Sequence, residues 1–118
     1  MPRDWRTRAD DILAAIERVR RFTPHDSEAQ FAADERAVFA VAYAMLIVGE
    51  AANSIPEAVR ETHSEIPWHL KRGIRNVIAH ATFDVDPAIL WETAKQDLPT
   101  LERQLQEVLA NGEVDSSS

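Results

Sequence analysis

The sequence predicts an all-α fold, and two observations carry this prediction. Only 3 of the 118 residues are glycine, while alanine, leucine, glutamate and arginine, which favour helices, are abundant. Apolar residues recur at spacings of three and four, and no segment shows the alternation that is typical of a strand. We therefore expect an antiparallel bundle of four main helices plus one short helix, because short connections favour antiparallel neighbours.

The first helix is expected over about residues 4–22, where apolar residues recur at intervals of four and three. This stripe consists of Trp5, Ala9, Ile12, Ile16 and Val19. Pro24 should end the helix, because a proline disfavours helical backbone in the residue before it. Residues 25–33 are then a connector with room for one helical turn.

A second helix is expected from near Asp34 to about Asn53. Its run of 12 apolar residues, 37–48, is wider than one stripe. More than one side of this helix should therefore be covered, either at the centre of the bundle or at a subunit interface. The run is shorter than the roughly 20 residues that cross a bilayer. A buried helix, and no membrane span, is the prediction.

Two shorter signals follow this helix. Ser54 is the expected N-cap of a short helix that ends near Thr62, with Pro56 in its first turn and Glu57 three residues after the cap. The next helix should open at residues 66–68 and carry the polar motif described below.

The last helix is predicted to be long. Asp86 is its expected N-cap and Pro87 its first residue. Pro99 should bend the helix locally. The helix should end at residues 111–112, Asn-Gly, which leaves residues 113–118 as a disordered tail.

The composition is typical of a small globular protein of the cytoplasm. The length allows one domain, which we place at residues 1–112, and the absence of cysteine leaves neither disulfides nor a thiolate metal site. The first six residues lack the apolar core of a signal peptide. A formal net charge of −7 argues against broad affinity for nucleic acid. One local basic site remains, since residues 71–80 hold Lys71, Arg72 and Arg75 and no acid.

The most informative stretch places an arginine, an amide and a histidine on this helix. With Arg75 at zero and about 100° per residue, Arg72 falls at about 60°. Asn76 falls at about 100° and His80 at about 140°. The apolar arc, between about 200° and 300°, holds Leu70, Ile74, Val77, Ile78 and Ala81. The four polar side chains therefore share one surface, opposite the face that anchors the helix. Asn76 and His80 are four residues apart and can touch directly.

Two interpretations fit these residues. In one, they form a polar outer helix face on which His80 is an ordinary surface residue. In the other, His80, which titrates near neutrality, acts as a general base or acid. Arg75 would then hold a phosphate with its planar guanidinium, and Asn76 would orient the ring or the substrate. Lys71 and Arg72 would add substrate contacts.

Other polar residues suggest less. His63, His69 and His80 could form a metal site with Asp84 or Asp86, but their spacing does not place them on one face. We therefore predict no metal and no cofactor.

Glu50 follows the apolar run, where partial burial and a structural salt bridge with Arg72 or Arg75 are expected. Trp68, Trp91 and Phe83 are expected in the core or at an interface.

At this point the chain resembles the HEPN superfamily, and within it the HepT-like ribonuclease toxins that are paired with minimal nucleotidyltransferase antitoxins. The resemblance covers nearly the whole chain and rests on an ordered set of sequence blocks. These blocks are residues 10–16, Gly49-Glu50-Ala51-Ala52, Glu65-Ile66-Pro67-Trp68, Gly73-Ile74-Arg75-Asn76 with His80, Phe83-Asp84-Val85-Asp86, Trp91-Glu92-Thr93 and Asp97-Leu98-Pro99.

The resemblance implies a HEPN-type helical homodimer that cuts RNA without a metal, as the toxin of a type VII-like toxin–antitoxin pair. The arginine and histidine of both subunits would line one cleft. His80 would deprotonate the ribose 2′-hydroxyl or protonate the leaving oxygen. Arg75 would stabilise charge on the phosphate in the transition state.

One position departs from the family pattern. The toxins commonly have a tyrosine two residues after the histidine, where the partner nucleotidyltransferase attaches adenylate and silences the toxin. This sequence has Thr82 there. Because an aliphatic hydroxyl is a poorer nucleophile near neutral pH than a phenol, we expect the cognate antitoxin to act mainly by binding.

Two alternatives to a nuclease stay open. The acidic charge and the missing tyrosine also fit a non-catalytic helical partner that binds and positions a minimal nucleotidyltransferase. A plain dimerisation module is the third possibility. Incubation of the protein with labelled RNA in EDTA separates a metal-independent nuclease from both alternatives.

Overall fold

The computed structural model describes residues 2–68 and 86–117, and it describes side-chain burial for residues 5–68 and 86–111. The regular elements in these ranges are all helical, so the predicted all-α class is confirmed. The helix that should carry the polar motif lies outside the described residues. The full set of four main helices therefore stays a prediction.

Helix α1 spans Pro2–Arg21, close to the predicted range. The whole predicted stripe from Trp5 to Val19 is buried. Beyond the last residue of the helix, the Thr23 hydroxyl donates to the Val19 carbonyl at 2.8 Å. The same carbonyl accepts a bond from the Phe22 N–H at 3.2 Å. Helix α1 ends at Arg21, so the predicted stop before Pro24 is confirmed.

The connector contains one short helix, α2 (Glu28–Ala32), whose N-cap Ser27 accepts a hydrogen bond from the Gln30 N–H. Its anchor is Phe31, which is fully buried. The Phe31 ring packs edge-on against His25 at 5.6 Å and lies tilted against Trp91 at 5.5 Å between ring centroids. The loop is therefore held to the bundle by one aromatic side chain.

Helix α3 (Glu35–Ser54) begins beside Asp34, where its start is predicted. The structure shows that Asp34 is the N-cap, because its side chain accepts a hydrogen bond from the Ala37 N–H at 3.1 Å. The second carboxylate oxygen of Asp34 lies 2.9 Å from Nε2 of His25. The hydrogen bond with His25, followed by the one from Ala37, holds the pKa of the Asp34 carboxyl below its usual range.

The apolar run of α3 is buried on a wide face, as the sequence predicts for a central helix. The buried residues of α3 are Ala37, Val38, Val41, Ala42, Ala44, Met45, Val48, Gly49 and Ala51. By length and composition alone, α3 could also cross a membrane, and half of the relevant window is packed inside the bundle. The core helix of a soluble protein passes the same test.

Helix α4 (Glu57–Thr62) exists where a short helix is predicted, but its predicted cap is wrong. Ser54 is still the last residue of α3, and its hydroxyl donates to the Glu50 carbonyl at 3.0 Å. A capping serine needs a non-helical backbone, which Ser54 does not have. The N-cap position is Pro56, which makes no side-chain capping bond.

Helix α5 (Pro87–Glu92) has the predicted cap, since the Asp86 side chain accepts from the Ala88 N–H at 2.9 Å. A π-helical turn, Thr93–Asp97, joins it to α6 (Leu98–Ser117). Pro99 has no N–H for the helical ladder, and a wider turn lies just before it. The predicted local irregularity is therefore a π turn.

The predicted helix end at residues 111–112 is wrong, because α6 continues through Gly112 to Ser117. An Asn-Gly pair ends a helix only when the glycine takes a left-handed backbone, and no described glycine has a positive φ. The placement of the domain at residues 1–112 and of a disordered tail after it stays a prediction.

Polar contacts show that neighbouring helices run antiparallel. Near its C-terminal end, α1 contacts the first half of α6 through Arg20 and Glu102, and near its N-terminal end Arg6 donates to the Leu109 carbonyl at 3.3 Å. The pair α1 and α3 is likewise antiparallel, since Phe22 lies beside Ala37 whereas Arg8 lies beside Glu50. The antiparallel arrangement is thus present in these two helix pairs.

We expect Phe31→Ala to lower the free energy of unfolding by about 3–5 kcal/mol, because it leaves a cavity between His25 and Trp91. The matched control is Phe22→Ala, since Phe22 is 41% exposed and its loss opens no core cavity. Urea unfolding followed by circular dichroism measures both variants. Equal losses in the two would show that α2 is not anchored through Phe31.

Candidate active site

The predicted site residues all belong to one segment, 69–85, which lies outside the described residues. They are Lys71, Arg72, Arg75, Asn76, His80 and Thr82. Their assignments stay predictions from the sequence. The structure does fix how the chain enters this segment at Trp68 and leaves it at Asp86.

The chain enters the segment at a tryptophan that is held by two hydrogen bonds. The indole N–H of Trp68 donates to the carbonyl of His63 at 3.0 Å and to that of Arg60 at 3.2 Å. Both carbonyls lie at the C-terminal end of α4, where helical partners are missing. Trp68 is half-buried and packs against the core. Of the two places predicted for Trp68, the core and an interface, the contact with the core is confirmed.

The turn before Trp68 is attached to α1 and α6 as well. Ile66 is almost fully buried. The side-chain amide of Gln104 donates to the Glu65 carbonyl at 3.0 Å, and the His63 ring lies 6.0 Å from the Trp5 ring. Three helices of the bundle therefore set the position at which the predicted motif helix begins.

The chain leaves the segment at the capped start of α5, which is anchored by Leu90 and Trp91. Leu90 is buried, and Trp91 contacts Phe31 of α2. Lys95, one turn later, lies over the Trp91 ring at 4.7 Å from its centroid and donates to the Thr23 carbonyl at 3.0 Å. Sequence reasoning missed Lys95, although its spacing of four from Trp91 is a signal for a helical cation–π pair.

Glu50 corrects one expectation about the site. It is exposed, on the outward side of α3, so its predicted partial burial is wrong. Within the described residues it forms no ion pair, and its predicted partners Arg72 and Arg75 lie outside them. Glu50 instead borders an open surface hollow of about 370 Å³ together with Arg8 and Asp11.

Metal ligands do not converge anywhere in residues 2–68 and 86–117, where no group of three or more histidine, aspartate or glutamate side chains comes together. His63 has only Glu65 nearby, at 4.0 Å. Asp86 serves as a helix cap, as predicted. The other proposed ligands, His69, His80 and Asp84, lie outside these residues. The prediction of no metal and no cofactor therefore stays open.

Comparison with known proteins gives a family match across most of the chain. The family model described as "Ribonuclease HepT-like" matches residues 12–108, which include the whole segment 69–85. The "Probable ribonuclease HepT" of Thermococcus cleftensis is 36% identical over 108 residues, which cover 92% of this chain and 98% of that protein.

Two further relatives carry similar names. A protein of Caldanaerobacter subterraneus subsp. tengcongensis named "Putative RNase" is 36% identical over 94 residues, 80% of each chain. A protein of Methanocaldococcus jannaschii with the same printed description is 29% identical over 107 residues, 91% of this chain and 88% of that one. No solved structure matches the chain significantly.

We expect Trp68→Phe to lower the free energy of unfolding by about 1 kcal/mol, because it keeps the ring but removes the donor to the carbonyls of Arg60 and His63. Trp91→Phe is the matched control. Its indole N–H has no described hydrogen-bond partner, so Trp91→Phe changes the packing and the contact with Lys95 but removes no described hydrogen bond. Thermal unfolding of both variants measures the difference. A Trp68→Phe protein as stable as the wild type, beside a destabilised Trp91→Phe, would refute the anchoring role.

Proposed function

We propose that this chain, which belongs to the ribonuclease HepT-like family, is a metal-independent RNA endonuclease and the toxin of a type VII-like toxin–antitoxin pair. It acts in the cytoplasm as a homodimer with one composite cleft. Arg75 and His80 of both subunits are its catalytic residues, and Lys71, Arg72 and Asn76 bind the substrate.

The observation that carries this proposal is the polar motif inside the family match. Arg75, Asn76 and His80 share one helical arc by their spacing, and all three lie within residues 12–108, the range that the family model matches. A lone histidine near a helix end would be unremarkable. The same histidine in a sequence whose relatives are named as ribonucleases is a candidate for proton transfer.

The proposed reaction needs no metal, since the nucleophile belongs to the substrate. His80 takes the proton of the ribose 2′-hydroxyl, the 2′-oxygen attacks the phosphorus, and the bond to the 5′-oxygen breaks. A second histidine donates a proton to the leaving 5′-oxygen. The products are a 2′,3′-cyclic phosphate and a 5′-hydroxyl. Arg75 stabilises the charge that builds up on the phosphate oxygens in the transition state.

A composite cleft would allow an acidic chain to bind RNA locally. A net charge of −7 disfavours binding along a long stretch of RNA. A dimer that brings both copies of Lys71, Arg72 and Arg75 together concentrates six cations at one place. Cleavage at a single phosphate then needs only local attraction, which raises the substrate concentration at the cleft.

We expect Arg75→Ala and His80→Ala each to lower RNA cleavage in EDTA by about 100-fold or more, and to abolish growth inhibition, because each removes a group that acts in the transition state. A labelled RNA incubated with the purified protein measures cleavage. Circular dichroism should show unchanged helix content, since both residues lie on the polar arc.

The control for charge alone is Arg103→Ala, which removes an exposed arginine of α6 and should leave cleavage unchanged. If the wild-type protein binds a nucleotidyltransferase but cuts no RNA, the non-catalytic partner is the correct interpretation. Cleavage that requires an added metal would overturn the metal-independent mechanism alone. A loss of helix in both variants would return the motif to a structural role.

We expect a cognate minimal nucleotidyltransferase to neutralise this toxin mainly by tight binding and not by adenylation of Thr82. The threonine hydroxyl is a weaker nucleophile near neutral pH than the phenol of tyrosine, whose pKa is about 10. Thr82→Val should therefore stay neutralised when the two proteins are produced together. Intact-mass spectrometry of the co-purified pair measures any adenylate.

Thr82→Tyr restores the residue that the family commonly has and is the positive control for adenylation. A stoichiometric adenylate mass on the wild-type chain, together with loss of neutralisation in Thr82→Val, would contradict the prediction. Neither result bears on Arg75 or His80, so the nuclease assignment is tested separately.

A further inference from the structure

The outward face of α3 exposes large apolar side chains. Phe39 is 55% exposed and Tyr43 is 67% exposed. Leu46 and Ile47, one turn further on, are only partly buried. Together these four residues form an apolar strip on a helix whose opposite side is the core of the bundle. Contiguous exposed apolar surface of this kind marks an interaction site more often than scattered single residues do.

This apolar strip has a charge of opposite sign at each end. Arg36, Phe39, Tyr43, Leu46 and Glu50 follow one another at intervals of three, four, three and four, so they lie on one helical face. Arg36 lies seven residues before Tyr43, and Glu50 lies seven residues after it. Both charged residues are exposed, and within the described residues neither forms an ion pair.

Such a face is complementary to a second copy of itself. A two-fold axis perpendicular to α3 near Tyr43 makes two α3 helices antiparallel. This places Arg36 against the partner's Glu50, and Glu50 against the partner's Arg36. A two-fold axis along the helix would instead place Arg36 beside Arg36 and Glu50 beside Glu50. Like charges in such positions oppose association, so the antiparallel pairing is favoured.

A surface hollow next to the strip supports the same pairing. It has a volume of about 370 Å³, and Ile47 and Leu46 form part of its wall, with Arg8 of α1 beside them. With the axis near Tyr43, the partner's Phe39 falls opposite Ile47, at this hollow. The exposed Phe39 ring of one copy therefore meets the surface hollow of the other, and the symmetry repeats this contact.

We propose that two copies of this chain associate through antiparallel α3 helices, with the two-fold axis near Tyr43 and with crossed Arg36–Glu50 ion pairs. This inference rests on the homodimer of the proposed function and names the face that forms it. It explains why exposed aromatic residues occur on a central helix of a small acidic protein.

The absence of cysteine makes single-cysteine cross-linking a direct test. Tyr43→Cys places its cysteine at the axis, so a short bis-maleimide should join two copies into a covalent dimer. Ser54→Cys is the matched control, exposed on the same face of α3. In the antiparallel pairing, residue 54 lies 11 residues from the axis in each copy. At a rise of about 1.5 Å per residue, the two cysteines are then about 33 Å apart along the helices. Ser54→Cys should stay uncoupled.

Charge reversal tests the crossed ion pairs. We expect Arg36→Glu and Glu50→Arg each to weaken dimerisation about tenfold or more, because each places like charges together at two symmetric positions. The double variant Arg36→Glu/Glu50→Arg restores opposite charges and should dimerise like the wild type. Sedimentation equilibrium measures the three dissociation constants, and circular dichroism checks the fold.

The outcomes separate this inference from the proposed function. A wild-type dimer without cross-linking at residue 43, or without rescue in the double variant, would overturn this interface and leave the homodimer standing. Equal cross-linking at residues 43 and 54 would indicate parallel helices and overturn it too. A monomer at micromolar concentration would overturn both the interface and the composite cleft. RNA cleavage by the wild type is measured independently of all these readouts.

Discussion

The structure depends on the burial of α3 against α1. The buried face of α3 is wide, so one neighbouring helix cannot cover it, and α5 and the short helix α2 also contact it. Full burial of a valine or methionine side chain stabilises a fold by about 1.5–3 kcal/mol, and α1 and α3 form the most extensive contact between two helices in the described residues. The connector between α1 and α3 is held against the same core. Asp34 caps the start of α3, and the Phe31 side chain is buried.

The same packing prepares a frame for the segment that carries the polar motif. Trp68 and Asp86 define its ends, and each is fixed by hydrogen bonds to backbone groups at helix termini. Fixed ends would help to position the side chains of the proposed catalytic helix. Proton transfer and phosphate binding need these side chains within a fraction of an ångström of the reactive geometry. Trp68 and Asp86, which hold the two ends of the segment, lie outside the predicted motif.

The two faces of α3 differ in composition. Its inner face is small and aliphatic, with alanine, valine and methionine, and it packs tightly. Its outer face has the aromatic residues and a charge at each end. A composition of this kind serves association better than solubility, because aromatic side chains provide a large contact area at low cost in conformational entropy. If the motif segments of two copies are to share a cleft, the dimer must form through one such self-complementary face.

The sequence alone determined the helical class, the amphipathic stripe of α1, the start of α3 near Asp34, the cap at Asp86, a departure from the regular helix beside Pro99 and the family. These depend on local spacing and on residue types that act within one or two turns. It misplaced the cap at Ser54, the burial of Glu50 and the end of α6, because each depends on what lies beside the helix. The motif residues were found only from the sequence, since they lie outside the described residues. Only the tertiary structure decided which side of α3 faces solvent, and how Trp68 and Lys95 fix the ends of the motif segment, because burial and long-range hydrogen bonds arise only once the helices pack.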